Sequence, residues 1–201
     1  MPLRFIPAEL KTIHNSEFFY IKASVSKKID ALLAEVRDEI KSVIEKEKIK
    51  FPEEVDARMG KIFRGENYSG LPYLVLDFPK HFSKDSVLAF RTMFWWGNFF
   101  SFTMHLQGKA LEEKRKALIE NWRLFRKKNI YISTGKTPWH YHYKKDNYRL
   151  IDTFSEQDIK HLFITKEFIK FSRKIPLKDY KKLNAFIKES FTLFSSSLFS
   201  R

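Results

Sequence analysis

The stretch Phe90–Leu106, FRTMFWWGNFFSFTMHL, decides the fold of this chain, because two aromatic segments flank a Gly97-Asn98 dipeptide of the kind that closes a two-residue β-hairpin. With that loop, Trp96 pairs with Phe99, Trp95 with Phe100, Phe94 with Ser101 and Met93 with Phe102. One face of the hairpin then carries Met93, Trp95, Phe100, Phe102, Met104 and Leu106, which reads as core. The other carries Phe90, Phe94, Trp96, Phe99, Ser101, Thr103 and His105, a mixture suited to a covering helix or, less simply, to one wall of a pocket.

Upstream of the hairpin, Lys61 to Asn67 and Tyr73 to Phe78 read as strands, punctuated by Ser69-Gly70, Pro72 and Pro79. Residues 1 to 24 read as an irregular lead-in with SEFFYIKA as a short strand. From Ser26, which can cap a helix, Ile29, Leu32, Val36, Ile40 and Val43 recur at helical spacing, and the helix should stop before Pro52. Pro52-Glu53-Glu54 can open a second short helix ending near Gly60.

Downstream, residues 109 to 128 form an amphipathic helix burying Leu111, Leu118, Trp122 and Phe125, and residues 130 to 149 read as a loop or irregular strand pair. Ser155-Glu156-Gln157-Asp158 has the form of a capping box and should open a helix through Ile159, Leu162, Phe163, Ile169 and Phe171, broken by Pro176. A last helix runs through Tyr180, Leu183, Ile187, Phe191 and Phe194, with a fraying tail SSSLFSR. The sum is one α+β domain over residues 1–201: an antiparallel sheet centred on the aromatic hairpin, about residues 88–106, with amphipathic helices against it. Regular strand–helix alternation, the mark of a doubly wound parallel sheet, is missing.

A hydrophobic fraction of 43% with 21 phenylalanines supports a sizeable core, and the absence of cysteine excludes disulfides and thiol chemistry. The longest apolar run is too interrupted to span a bilayer, and the N-terminus lacks the pattern of a signal peptide, so the default expectation is a cytoplasmic location. The net charge of +14 is uneven: residues 1–100 carry 16 Lys/Arg against 14 Asp/Glu, and residues 101–201 carry 22 against 10. A basic half attracts phosphate backbones and other polyanions, although a solvated lysine surface has the same composition.

Within that half, Tyr131, Trp139, Tyr141, Tyr143 and Tyr148 alternate with Arg126, Lys127, Lys128, Lys136, Lys144, Lys145 and Arg149. Rings that stack on bases, interleaved with cations that follow a backbone, point to single-stranded nucleic acid as partner, without the signature of any named RNA-binding module. The competing expectation is a small-molecule pocket between the hairpin and the Arg64 to Tyr73 loop, built from Arg64, Glu66, Asn67, Tyr68, His105, His140 and His142. Whether the protein is an enzyme is left open, no catalytic residue is assigned, and neither a cofactor nor a metal is expected. His140 and His142 share a face if extended, but a metal would need a third ligand from His105, Glu66 or Asp77, and nothing in the sequence brings one. Ser133-Thr134-Gly135-Lys136-Thr137 resembles the end of a phosphate-binding loop, yet Ile130 stands where its first glycine is required and Pro138 blocks the helix.

Overall fold

The computed structural model describes residues 3–199, in which seven strands form one antiparallel sheet in the order β1-β2-β3-β4-β7-β5-β6. The strands are β1 (Lys61–Tyr68), β2 (Leu71–Phe82), β3 (Ser86–Trp95), β4 (Phe99–Gly108), β5 (Tyr131–Ser133), β6 (Tyr148–Leu150) and β7 (Phe168–Pro176). The helices are α1 (Pro7–Ile13), α2 (Ser16–Lys46), α3 (Lys109–Asn121), α4 (Glu156–Thr165) and α5 (Leu183–Ser196). The α+β class and the central place of the aromatic hairpin are those expected from the sequence.

Its register is not. Trp95 pairs with Phe99 and Phe94 with Phe100, so the loop has three residues, Trp96, Gly97 and Asn98, rather than two. Asn98 N–H donates to the Trp95 carbonyl at 3.0 Å, and Gly97 takes the left-handed φ of +69° that this turn requires. A one-residue slip exchanges the faces of one strand against the other. Phe90 and Phe94 therefore join Phe100, Phe102, Met104 and Leu106 on one side, while Met93 and Trp95 join Phe99, Ser101, Thr103 and His105 on the opposite side. The observed register brings the phenylalanines of both strands together, which the two-residue loop would have split.

Helices α2 to α5 cover the phenylalanine face. Phe102 stacks parallel to Phe194 of α5 with ring centroids 5.9 Å apart, and Phe90 meets Phe191 edge-on at 4.9 Å. From α2 come Ile29, Leu33, Val36, Ile40 and Val43, the heptad-like stripe read from the sequence with Leu33 in place of Leu32. Leu111 and Leu118 of α3, with Trp122 and Phe125 from the 3-10 turn that follows it, fill the other half. Between β4 and α3 the backbone turns at Gly108 with φ +60°, where a Cβ would lie 2.0 Å from the Asp85 carbonyl oxygen.

Five further expectations are corrected. SEFFYIKA is not a strand: Asn15 accepts from the Phe18 N–H and starts α2 at Ser16, ten residues before Ser26, and the segment continues without a break into the buried stripe of that helix. Residues 52–60 are a turn rather than a helix, since Asp56 takes the N–H groups of Arg58, Met59 and Gly60 and pairs with Lys80. Strand β2 runs through Pro79, whose preceding peptide is cis, and a register shift between Asp77 and Lys80 absorbs the missing donor. Helix α4 begins as expected at the Ser155–Asp158 capping box, but it stops at Thr165. Ile169 and Phe171, placed on that helix by the sequence reading, belong instead to β7, which joins the hairpin to β5. Of the tail expected to fray, Leu198 is buried, and Ser200 and Arg201 lie outside the described residues.

Candidate nucleic-acid interface

The second face of the sheet is built of cross-strand rungs, and their chemistry is polar where the first face is apolar. One rung runs Asp77, Arg91, Thr103, Ser172 and Tyr131 across five strands; a neighbouring one runs Ala89, His105 and Lys170. Arg91 grips Asp77 through two hydrogen bonds of 2.7 and 2.8 Å and donates a third, at 2.6 Å, to the Tyr141 hydroxyl. Burial works against the Arg91 charge, but the Asp77 carboxylate more than offsets it and holds the guanidinium charged. Next along the rung, the Thr103 and Ser172 hydroxyls are 2.7 Å apart, and Tyr143 donates to the Arg173 carbonyl at 3.0 Å while also bonding Ser172.

Residues 134–147 run as a strap between β5 and β6 over the middle of this face. Tyr68 fastens it from the β1–β2 end, its hydroxyl accepting from the N–H groups of Tyr141 (2.5 Å) and His142 (3.0 Å). From below, the fully buried Lys170 ammonium donates to the carbonyls of Pro138 (2.7 Å) and His140 (2.5 Å) and lies 4.5 and 5.1 Å from the ring centres of Tyr141 and Tyr148. Burial, with the Arg91 charge nearby, pushes this ammonium down to about 7. Burial and the same two cations, Lys170 and Arg91, push His105 down to about 3, so its imidazole is neutral.

A pH dependence follows from Lys170. The unfolded chain holds the lysine proton up to about 10.5, whereas the folded protein releases it near 7, so between those values the unfolded state binds more protons and raising the pH favours folding. Thermal melts of the wild type should therefore gain stability from about pH 7 to about pH 9 relative to K170M, which lacks the titrating group. Equal pH slopes for the two proteins would contradict the assignment.

Tyr141 fills the space between the hairpin and the Arg64–Tyr73 loop, packed against Val75, Met93 and Trp95. Of the pocket residues expected there, Tyr68 and His105 meet the strap, and His140 and His142 belong to it, with ring centres 5.2 Å apart. Arg64 and Glu66 face the other way: Arg64 shares a rung with Leu74 on the helix side and pairs with Asp30, and Glu66 pairs with Lys22 at 2.5 Å, both on α2. Asn67, next to last in β1, accepts from the Gly70 N–H of the turn that follows. Among the described residues no three His, Asp or Glu side chains converge to hold a metal ion.

At the β5–β6 end, beyond the strap, the expected rings and cations do meet. Tyr131, Tyr143, Lys145, Tyr148 and Arg149 line a largely apolar groove of about 640 Å³, with Leu150 and Thr153. Tyr143 stacks on the buried Tyr148 at 4.9 Å and 25°, while Tyr131 meets Tyr143 edge-on at 4.8 Å. Lys174 lies 4.6 Å from the Tyr143 ring centre, 5.3 Å from Phe99 and 5.8 Å from Tyr131. Comparison with known proteins finds no matching family model, curated protein or solved structure. The site has to be read from its own chemistry.

The remaining predicted residues do not line this groove and have different tasks. Lys128, Lys136 and Lys144 are exposed, and so is the Lys127 side chain, whose backbone N–H bonds the Asp152 carboxylate. Arg126 is structural, donating to the carbonyls of Asp152 and Phe154. Trp139 is 53% exposed at the strap's crest, edge-on to His105. Tyr141 is buried, and its face is taken by Arg91 at 4.9 Å. Sequence reasoning missed Lys174, Lys170 and the Asp77–Arg91 pair. For the two lysines the signal was the alternation of Ile169, Phe171 and Ile175, interrupted only by Arg173, against Lys170, Ser172 and Lys174, which reads as a strand with one polar face; nothing in the sequence pairs Asp77 with Arg91.

Proposed function

We propose that the protein binds single-stranded nucleic acid in the groove at the β5–β6 end of the sheet. The observation that carries this reading is the gathering of Tyr131, Tyr143 and Tyr148 with Lys145 and Arg149 around one groove, with Lys174 over the Tyr131 and Tyr143 rings. Cations at the rim attract a phosphate backbone, and the half-buried Tyr131, edge-on to the Tyr143–Tyr148 stack, offers ring surface to an unpaired base. A duplex keeps its bases stacked and so offers no ring face for stacking. The excess of 22 Lys/Arg over 10 Asp/Glu in residues 101–201 supplies the long-range attraction.

Fluorescence anisotropy with labelled single-stranded RNA, single-stranded DNA and duplex DNA tests this. Binding should favour the single strands and persist near physiological salt. A stacked base contributes about 1–3 kcal/mol, so Y131A should weaken binding roughly tenfold. Replacing Lys145 or Arg149 by glutamine should lower the salt slope by about 0.7 for each lost phosphate contact. Equal affinity for duplex and single strand, unchanged by Y131A, would sink the proposal.

A further inference from the structure

The N-terminal arm carries a different surface. Over residues 3–28, which take in α1 and the start of α2, no side chain is buried, yet this segment contains Phe5, Ile6, Leu10, Ile13, Phe18, Phe19, Tyr20 and Ile21, all substantially exposed. The last four are consecutive on α2, exposed by 47, 52, 75 and 53%. At about 100° per residue they cover most of the helix circumference, so a single partner helix or one groove cannot shield them all. A fluid apolar medium can. Around them stand the exposed cations Arg4, Lys11, Lys27 and Lys28, and residues 3–28 hold five Lys/Arg against two Glu. No helix among the described residues is long and apolar enough to cross a membrane. Exposed apolar turns flanked by cations suit the boundary between acyl chains and anionic headgroups, where apolar area and charge both contribute to binding.

We propose that residues 3–21 dock on an anionic bilayer surface, with Phe18 to Ile21 and the apolar side chains of α1 entering the boundary between headgroups and acyl chains. Arg4, Lys11, Lys27 and Lys28 then meet the anionic headgroups. The arm is separate in the fold from the β5–β6 groove, so the two sites can be disabled independently.

The test uses vesicles of phosphatidylcholine with about one third phosphatidylglycerol, and vesicles of phosphatidylcholine alone. The protein should co-sediment with the anionic vesicles at near-physiological salt, and brominated acyl chains should quench the emission of F19W beyond that of the wild type. The triple variant F18S/F19S/I21S changes only exposed positions; it should keep the wild-type circular dichroism and RNA affinity while losing more than tenfold in vesicle binding. No vesicle binding, or binding that the triple variant leaves intact as bare charge adsorption would, overturns the proposal. So does a dimer in sedimentation velocity that the triple variant dissolves without any vesicle binding, since the arm would then cover a second copy of the chain.

Discussion

Replacing Asp77 by alanine should lower the stability of the fold by about 3–5 kcal/mol, the cost of leaving one partner of a buried ion pair uncompensated. Only 5% of the Asp77 side chain and 12% of that of Arg91 are accessible, and the guanidinium spends two of its donors on this one carboxylate. Without Asp77 the charge stays in the sheet face, held between Tyr141, 4.9 Å away, and Phe63, 5.5 Å away. The double variant D77A/R91M should recover part of the loss, because removing both charges removes the burial cost along with the attraction. It should not recover all of it, since Arg91 also fastens the strap through the Tyr141 hydroxyl. Urea unfolding of the four proteins in this cycle gives the coupling directly; a D77A variant as stable as the wild type would show that the pair contributes nothing.

The second large effect is expected at Phe171. Its side chain is fully buried, with ring centroids 4.6 Å from Phe125, 6.0 Å from Phe163 and 6.4 Å from Phe194. In β7 it pairs with Met104 of β4 and Ile132 of β5, so it sits where the hairpin half of the sheet joins the strands of the groove. F171A should cost about 3–5 kcal/mol through lost burial and the cavity left among three rings. The midpoint of denaturant unfolding should fall while the slope stays constant. A shift equivalent to less than about 1 kcal/mol would mean that the neighbouring rings collapse into the space.

Phe171 also shows why part of the fold escaped a reading of the sequence. Apolar residues at 159, 162 and 163 satisfy a helical period, and because no proline or glycine intervenes before Pro176 the helix is read on to 169 and 171, although residues two apart share a face only in a strand. The break at Lys166 comes from tertiary structure: its ammonium donates to the Thr134 and Gly135 carbonyls, and β7 finds hydrogen-bonding edges on β4 and β5. In the same way, Phe18 to Ile21 has strand composition but lies in a helix that continues into the buried stripe of α2. The stripes of α2, α3 and α5 were legible because each has one buried face and a period that no strand reproduces. The hairpin was legible in place but not in register, since the sequence of the turn accommodates loops of two or three residues and packing of the phenylalanines decides between them.

For the site, composition named Tyr131, Tyr143, Lys145, Tyr148 and Arg149, which the fold brings to one groove. The same composition named Tyr141, which the fold buries under the strap. Alternating rings and cations do not reveal which ring faces inward; that depends on Lys170 and Arg91, two cations from strands distant in sequence, which hold Tyr141 down.

Photo-crosslinking of an oligonucleotide containing 4-thiouridine to the full chain, followed by peptide mapping, tests the proposed groove most directly. The account predicts crosslinks concentrated on Tyr131, on residues 143–149 and around Lys174, lost in Y131A/R149Q. Crosslinks scattered over the lysine-bearing faces of the helices, and unaffected by those substitutions, would contradict it.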